Sequence, residues 1–271
     1  NISFLNQRCL LGRGEDIMTI EIIKKGAVIN EPQYLDTFRF NGQEYAPASG
    51  YMTWKQGMLW VAKLAIDGKP AELKSIQTLI DLRAKTSGAQ NSIDTLLTGT
   101  IICMTPGKKG ELRAHMYDTC REEQLYLANH PDLESGSVVT LPIDLKNDNL
   151  TKRVIESSED TKRSFDVPAE DIGKYVRQDA DGRSDYNADS TVQKVLTVDG
   201  ARQNGIFIAS KVKSDDPKGP KGYIWFAHPA VEAGKMQVRP VRLGGNVGFD
   251  YVNDVDAGDY FDGIGWVLGG S

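Results

Sequence analysis

Residues 34–46 read YLDTFRFNGQEYA, and this stretch indicates the fold class. Tyr34, Phe38 and Phe40 alternate with polar residues, which is the period of a strand with one buried face. Asn41-Gly42 follows, and this dipeptide favours a hairpin turn because both residues tolerate a positive φ. A second strand over residues 43–46 would complete the hairpin, so the sequence predicts antiparallel sheet here.

Other apolar segments bounded by turn residues repeat this strand pattern. Those predicted as strands are 18–29, 58–66, 96–104, 137–143, 192–198, 205–212, 222–228 and 236–243, the last four spaced like an antiparallel meander. Helices are predicted over 70–85, 119–129 and 168–177, the second because Thr119 and Glu122 have the spacing of a capping box. No regular βαβ rhythm appears, so we predict an α+β fold, predominantly antiparallel β-sheet with about three short helices.

The chain of 271 residues is large for one domain and ordinary for two. A β-rich region with two helices is predicted over 18–145, a polar connection over 146–165 and a β-meander over 166–271; one domain overall is the alternative. Residues 1–17 are either an N-terminal arm or a translated leader, because Gly12-Arg13-Gly14-Glu15 before Met18 can be encoded by a ribosome-binding sequence.

Charge and cysteine content narrow the function classes. The net charge of −5 excludes a basic field over the whole molecule of the kind that attracts nucleic acid. Three cysteines (Cys9, Cys103 and Cys120) are too few for a disulfide framework in a chain this long, which favours a reducing, cytoplasmic compartment. No apolar run approaches the roughly 18–20 residues that cross a bilayer, so no membrane partner is predicted.

One candidate metal site is the polar stretch 179–189. Its alternating carboxylates belong to Asp179, Asp181, Asp185 and Asp189. Hard oxygen ligands around one glycine resemble the start of a calcium loop, although Gly182 comes two residues early for an EF-hand. The alternative is an ordinary polar turn, because Asp, Asn, Ser and Gly all favour turns.

A second acidic set occupies the C-terminal segment. Residues 243–271 hold five aspartates and no lysine or arginine. Asp250, Asp254 and Asp256 would share one face of a strand, where two or three carboxylates could hold Mg²⁺ or Mn²⁺ for phosphoryl chemistry. The alternatives are an acidic strand edge that discourages aggregation and a docking patch for a basic partner. The cofactor prediction is therefore Ca²⁺ or Mg²⁺.

A third candidate site combines basic and aromatic residues. Its members are Lys211, Lys213, Tyr223, Trp225 and Arg239. Aromatic rings stack on bases and cations follow a phosphate backbone, so this composition is typical of a face that binds single-stranded nucleic acid. That interpretation requires Tyr223 and Trp225 to be exposed on the same side as Lys211 and Arg239.

The sequence contains few motifs that indicate catalysis. There is no G-x-S-x-G, no H-E-x-x-H and no paired C-x-x-C, and histidine is scarce. We therefore predict a non-catalytic binding or assembly protein of bacterial or phage type, acting on a protein partner or on itself. The alternatives are an aspartate-based metal-dependent hydrolase or nuclease and a module that binds single-stranded nucleic acid.

Overall fold

The computed structural model describes the backbone over most of the chain. The described residues are 21–23, 33–34, 37–40, 43–63, 65–66, 69–85, 95–134, 138–159, 161–181, 190–211, 221–246, 249–254 and 260–268. Side chains are described over 53–63, 70–81, 97–133, 138–159, 161–177, 191–208 and 222–244. The predicted leader, residues 1–17, lies outside these ranges.

The described elements are strands, α-helices and short 3-10 turns. The strands are β1 (Glu21–Ile23), β2 (Gln33–Tyr34), β3 (Thr37–Phe40), β4 (Gln43–Thr53), β5 (Ala65–Ile66), β6 (Lys69–Pro70), β7 (Glu72–Leu73), β8 (Thr95–Pro106), β9 (Leu112–Asp118), β10 (Val139–Pro142), β11 (Ser164–Val167), β12 (Lys174–Asp181), β13 (Lys221–His228), β14 (Lys235–Asn246), β15 (Phe249–Asp254) and β16 (Tyr260–Leu268). The helices are α1 (Trp54–Val61), α2 (Ile76–Lys85), α3 (Arg121–Ala128), α4 (Asn149–Ser158), α5 (Ser190–Leu196) and α6 (Val198–Lys211).

Fourteen of these strands form one sheet. Its longest path runs β1-β3-β4-β16-β8-β14-β15-β13-β12, with the other strands pairing beside it. Every described pair is antiparallel except β13 with β15 and β8 with β16. The predicted α+β fold with predominantly antiparallel sheet is confirmed, although the described residues contain six α-helices where about three were expected.

The predicted hairpin is present. Phe40 of β3 pairs with Gln43 of β4, so the two strands meet around 41–42, which are outside the described residues. Strands from both predicted regions share the sheet, because β8 of the first region pairs with β14 of the second. The boundary between two domains stays a prediction.

A hydrophobic core lies on each side of the sheet. On the first side, Ile102 and Met104 of β8 pack with residues of α2, α5 and α6. On the second side, Leu97 and Cys103 of the same strand pack with residues of α1, α3 and α4. This alternation follows from the two-residue period of a strand, and it explains why a central strand such as β8 is apolar on both faces.

The predicted strand over 58–66 is wrong in its main part, because that run is helix α1. Trp54, Met58 and Val61 recur at helical spacing and are all buried. Thr53 starts the helix: its hydroxyl accepts a hydrogen bond from the Gln56 amide at 3.3 Å, and its own amide donates to Gln56 Oε1 at 2.9 Å. A nearly continuous apolar run such as 58–66 has no clear period, so the capping box was the better signal.

The predicted strands over 192–198 and 205–212 are also wrong, since these residues form α5 and α6. Val192, Val195 and Leu196 share one helix face and are fully buried. Thr197 has a φ of +65°, which interrupts the helical backbone between α5 and α6. The C-terminal region is therefore not a meander. Packing against the sheet outweighed the strand preference of its β-branched residues.

The three predicted helices differ from those in the structure, one entirely and two in where they begin. The 168–177 segment is a 3-10 turn at Ala169–Asp171 followed by β12, so the predicted helix is wrong. The helix predicted from residue 70 begins at Ile76, after the short strands β6 and β7. Helix α3 is capped one residue later than predicted, because the Cys120 amide donates to Glu123 Oε2 at 2.9 Å.

The predicted polar connection over 146–165 contains helix α4. Asp148 caps this helix by accepting from the amides of Leu150 and Thr151 at 2.9 and 3.1 Å. Leu150 and Val154 are buried in the second core, so one face of a largely polar helix is structural. Over residues 146–165 the polar residues outnumber the apolar ones four to one, so composition alone did not reveal this apolar stripe.

Strand β8 approaches its neighbours very closely at Gly99. The Gly99 amide donates to Lys74 O at 2.7 Å, and Gly99 O accepts from both the amide and the hydroxyl of Thr119. Gln124 clamps the same place: its Oε1 accepts from Leu73 N and its Nε2 donates to Leu73 O. These bonds join β8, β7 and α3 where the register of β8 with β14 is irregular.

Candidate binding surface

The outer side of β12 and β13 exposes large aromatic and cationic side chains. Along β13, Ile224 and Phe226 point into the first core, whereas Trp225 is 45% exposed. On β12, Tyr175 is 51% exposed and Arg177 is exposed as well. Strand alternation places the exposed side chains on the side opposite Ile224 and Phe226, which pack in the first core with residues of α5 and α6.

Two contacts order these side chains. The rings of Tyr175 and Trp225 meet edge to face, with centroids 5.4 Å apart and an interplanar angle of 81°. The guanidinium carbon of Arg177 lies 3.5 Å from the ring centroid of Tyr223. Both are diagonal pairs across β12 and β13, within reach of long side chains. We call these four residues (Tyr175, Arg177, Tyr223 and Trp225) the outer aromatic face.

Register extends this face across two more strands. Arg177 pairs with Trp225, Trp225 pairs with Asn253 of β15, and Asn253 pairs with Arg242 of β14. Arg242 is partly exposed between Val241 and Leu243, which are buried in the first core. It therefore lies on the same side of the sheet as Trp225.

The sequence found half of this face. Tyr223 and Trp225 were named as aromatics in a strand beside basic residues, and the binding role given to them stays a prediction. Tyr175 and Arg177 were missed because their segment was predicted to be helical. The available signal was a period of two, in which Tyr175, Arg177 and Asp179 alternate with Val176 and other residues.

Arg239, a cation of the predicted nucleic-acid set, does not share this face. Arg239 is only 4% exposed, so the expectation that it would be accessible is wrong. It pairs with Ile102 of β8 in the middle of the sheet, where helices cover both sides. Lys211 ends α6, which packs on the first side, and Lys213 lies outside the described residues.

The two aspartate sets fall in different places. Asp179 and Asp181 belong to β12, in register with Tyr223 and Lys221. Asp250 and Asp254 belong to β15, in register with Gly245 and Val241 of β14. Asp185, Asp189 and Asp256 lie outside the described residues. The structure describes none of these seven side chains, so both metal sites stay predictions; within the described part, no group of three His, Cys, Asp or Glu could hold an ion.

His115 lies between two serines, an arrangement that resembles a catalytic serine–histidine pair, but the cluster is buried. His115 Nδ1 lies 2.8 Å from Ser164 Oγ, and Nε2 lies 2.8 Å from Ser157 Oγ. His115 is 5% exposed and Ser164 is 1% exposed, so a substrate has no access to either. The hydroxyls of Ser157 and Ser164 also donate to carbonyls of Val154 and Ser158 in α4. The cluster joins α4 to β9 and β11.

Cys120 lies in an acidic setting. Burial is the largest cause that raises the pKa of its thiol, and Glu122 and Glu123 are close by. Burial likewise raises the pKa of the Cys103 thiol well above its usual range. A nucleophilic cysteine needs the opposite, a lowered pKa that supplies thiolate. Among the described residues, these two cysteines have the character of structural thiols.

His228 is a second buried histidine, 6% exposed. Its pKa is lowered, mainly because burial disfavours the charged imidazolium and also because Arg239 repels it; Asp171 acts in the opposite direction. An unfolded imidazole takes up a proton near pH 6.5, whereas the folded one does so only at lower pH. The unfolded state thus holds more protons between these two values.

We expect this difference to make the protein less stable in mild acid. The free energy of unfolding should fall as pH drops through about 6.5 and level off below the lowered folded pKa of His228. Urea unfolding at a series of pH values measures the slope. His228→Gln should flatten it, because glutamine does not titrate in this range. An unchanged slope in His228→Gln would contradict the assignment.

An open groove of about 450 Å³ lies beside β10 and β14. Asp132, Glu232 and Lys235 are among its lining residues. Lys235 is paired with Glu232 at 3.0 Å, and Asp132 accepts from the Thr140 amide at 2.9 Å. These polar groups already contact one another, and the groove brings together no convergent set of reactive side chains.

Comparison with known proteins gives one informative similarity. No family model and no curated protein matches the chain. A solved structure described by the words "Accommodation of massive sequence variation in Nanoarchaeota by the C-type lectin fold" is similar, with a TM-score of 0.51 and 12% sequence identity over 89% of this chain and 99% of that one. The likeness shows a C-type lectin-like fold. No helix among the described residues is long and apolar enough to span a membrane.

Proposed function

We propose that this chain is a non-catalytic binding protein of bacterial or phage type that contacts a protein partner, or another copy of itself, through the outer aromatic face. The observation that carries the proposal is the exposure of Trp225 and Tyr175, 45% and 51%, in an ordered ring pair on a sheet whose opposite side is packed. Tyr, Trp and Arg are the residues most enriched among interface hot spots. Rings that already contact each other lose little conformational freedom on binding.

The similar structure supports the same reading. Its description says that a C-type lectin fold accommodates massive sequence variation. The outer aromatic face has the physical property that such tolerance requires, because its side chains lie on the side of the strands opposite Ile224 and Phe226, which belong to the first core. A cytoplasmic location is part of the proposal, supported by the free thiols of Cys103 and Cys120.

Peptide selection tests the proposal without a known partner. A random peptide library displayed on phage is panned on the wild-type protein, and the enriched peptides are titrated against variants. We expect Trp225→Ala to weaken them about 30-fold or more, the loss of one hot spot. Its melting temperature should change by only a few degrees, because an exposed ring contributes little to the core.

Tyr126→Ala is the matched control, since Tyr126 is 44% exposed but lies on α3. Its peptide affinities should equal those of the wild type. Enriched peptides that bind Trp225→Ala as tightly as wild type would overturn the proposal, as would a panning experiment that enriches none.

A further inference from the structure

We propose that the partner segment of the outer aromatic face is a neutral, proline-rich stretch of polypeptide in the polyproline II conformation. One proline ring packs on Tyr175 and Trp225, and a backbone carbonyl of the segment accepts a hydrogen bond from the Trp225 indole. This inference rests on the proposed function and specifies its partner. The juxtaposition behind it is the pair of rings, 51% and 45% exposed, that meet across β12 and β13.

The shape of the ring pair is the first argument. Tyr175 and Trp225 meet at an interplanar angle of 81°, with their centroids 5.4 Å apart, so the two ring planes form a corner. A proline ring is compact and loses almost no side-chain entropy when it is buried there. Proline-rich segments dock on aromatic-lined sites in this way, because their conformation is formed before they bind.

The backbone beneath the rings is the second argument. Strand β13 is paired on both edges, with β12 on one side and with β15 from Lys221 to Trp225 on the other. Its N–H and C=O groups are therefore engaged in the sheet. An ordinary peptide lying across this face would bury N–H donors that find no acceptor, which costs free energy. Proline has no backbone N–H, so a proline-rich segment avoids this cost.

The indole of Trp225 is the third argument. Its N–H group is a neutral donor and cannot accept. Among the residues that the structure describes, none accepts a hydrogen bond from it. A polyproline II segment makes no internal hydrogen bonds, so its carbonyls are open to such a donor. The indole thus offers the one kind of polar contact that a proline-rich backbone can make.

The balance of charge on this face is the fourth argument. Arg177 already rests on the Tyr223 ring, 3.5 Å from its centroid. Asp179 follows at the two-residue period of β12, in register with Tyr223. The formal charges at positions 177 and 179 are opposite and leave the face without a net charge. A neutral segment is therefore electrostatically complementary, and neither an anionic nor a cationic one is favoured.

Fluorescence anisotropy with synthetic peptides tests this inference on the full chain. The probe is a labelled, capped decaproline, and the matched peptide has N-methylglycine at every position, which also lacks the N–H but has no ring. We expect decaproline to bind at least tenfold more tightly, with an affinity that does not change with salt. Tyr175→Ala should weaken it about tenfold, the loss of a ring contact. Trp225→Phe, which keeps a ring but removes the N–H, should weaken it about fivefold.

Tyr126→Ala is the matched control for Tyr175→Ala, because its ring is 44% exposed but lies on α3. Equal binding of the two peptides would overturn the proline-rich segment. Proline-free peptides from the phage selection that lose affinity in Trp225→Ala would then leave the proposed function standing. Selected peptides insensitive to Trp225→Ala would overturn both. Tighter binding of single-stranded oligothymidine than of decaproline, lost in Trp225→Ala and in high salt, would overturn the peptide in favour of nucleic acid.

Discussion

Replacing Gly99 with alanine should lower the free energy of unfolding by about 3 kcal/mol or more, the upper end of the cost of overfilling a packed site. A Cβ at this position would lie 2.3 Å from Leu73 O and 2.9 Å from Gln124 Nε2. Leu73 O is a backbone atom held by Gln124, so it cannot swing aside as the end of a side chain would. Relief of the clash must move β7 away from β8 and break bonds at Gly99 and Thr119.

Thermal and urea unfolding of Gly99→Ala measure this cost. For a chain of this size, about 3 kcal/mol corresponds to a fall of roughly 6–12 °C in melting temperature. Gly234→Ala is the control: its φ is +75°, and a Cβ there meets nothing within 4 Å. It should cost only the strain of the left-handed conformation, about 1–2 kcal/mol. Equal losses in the two variants would show that close approach at Gly99 is not what excludes a side chain.

Truncation of Glu123 to alanine should lower the free energy of unfolding by about 3 kcal/mol, because it removes a buried carboxylate that accepts three hydrogen bonds, two of them from half-buried donors. Glu123 is 6% exposed and accepts from Tyr117 Oη at 2.9 Å, from the Cys120 amide at 2.9 Å and from Arg153 Nη1 at 3.1 Å. It therefore links β9, the start of α3 and α4. Burial and the hydrogen bond to Glu123 raise the pKa of Tyr117 well above its usual range.

Glu122→Ala is a close control, since the neighbouring carboxylate has the same place in the first turn of α3 but is exposed. Its loss should cost about 0.5 kcal/mol, the size of a charge interaction with a helix terminus. Urea unfolding compares the two variants, and absorbance titration of Tyr117 checks the linkage, because the raised pKa should fall in Glu123→Ala. Equal destabilisation by both substitutions would contradict the role assigned to Glu123.

Secondary structure was predicted correctly from neighbouring residues where only one interpretation fitted the local pattern. The Asn41-Gly42 hairpin was found from alternation and a turn dipeptide. The strands at 96–104, 137–143, 222–228 and 236–243 were found as apolar segments bounded by turn residues. The run at 58–66, which only Lys63 interrupts, was assigned to a strand because a nearly continuous apolar run has no period that separates a strand from a buried helix. In 192–198 the helical spacing of Val192, Val195 and Leu196 was present but was not used. In both, the deciding interaction was contact with a sheet distant in sequence.

The binding surface shows the same division. Tyr223 and Trp225 were identified from aromatics and cations close together in sequence, and Arg239 was grouped with them for that reason. The structure buries Arg239 in the centre of the sheet and brings in Tyr175 and Arg177 from a strand about 50 residues away. Residues that are close together in the sequence were grouped into one site, whereas strand register decides which side chains share a face of the sheet.

Residue order alone was enough for the α+β class, for the hairpin and for singling out Tyr223 and Trp225, because these depend on alternation and on local turn chemistry. The sheet order, the two parallel pairings, the conversion of apolar runs into α1, α5 and α6, and the place of Arg177 beside Tyr223 depended on long-range packing. The physical reason is that local preferences amount to a few tenths of a kcal/mol per residue, and burying an apolar side chain against the sheet is worth about 1.5–3 kcal/mol.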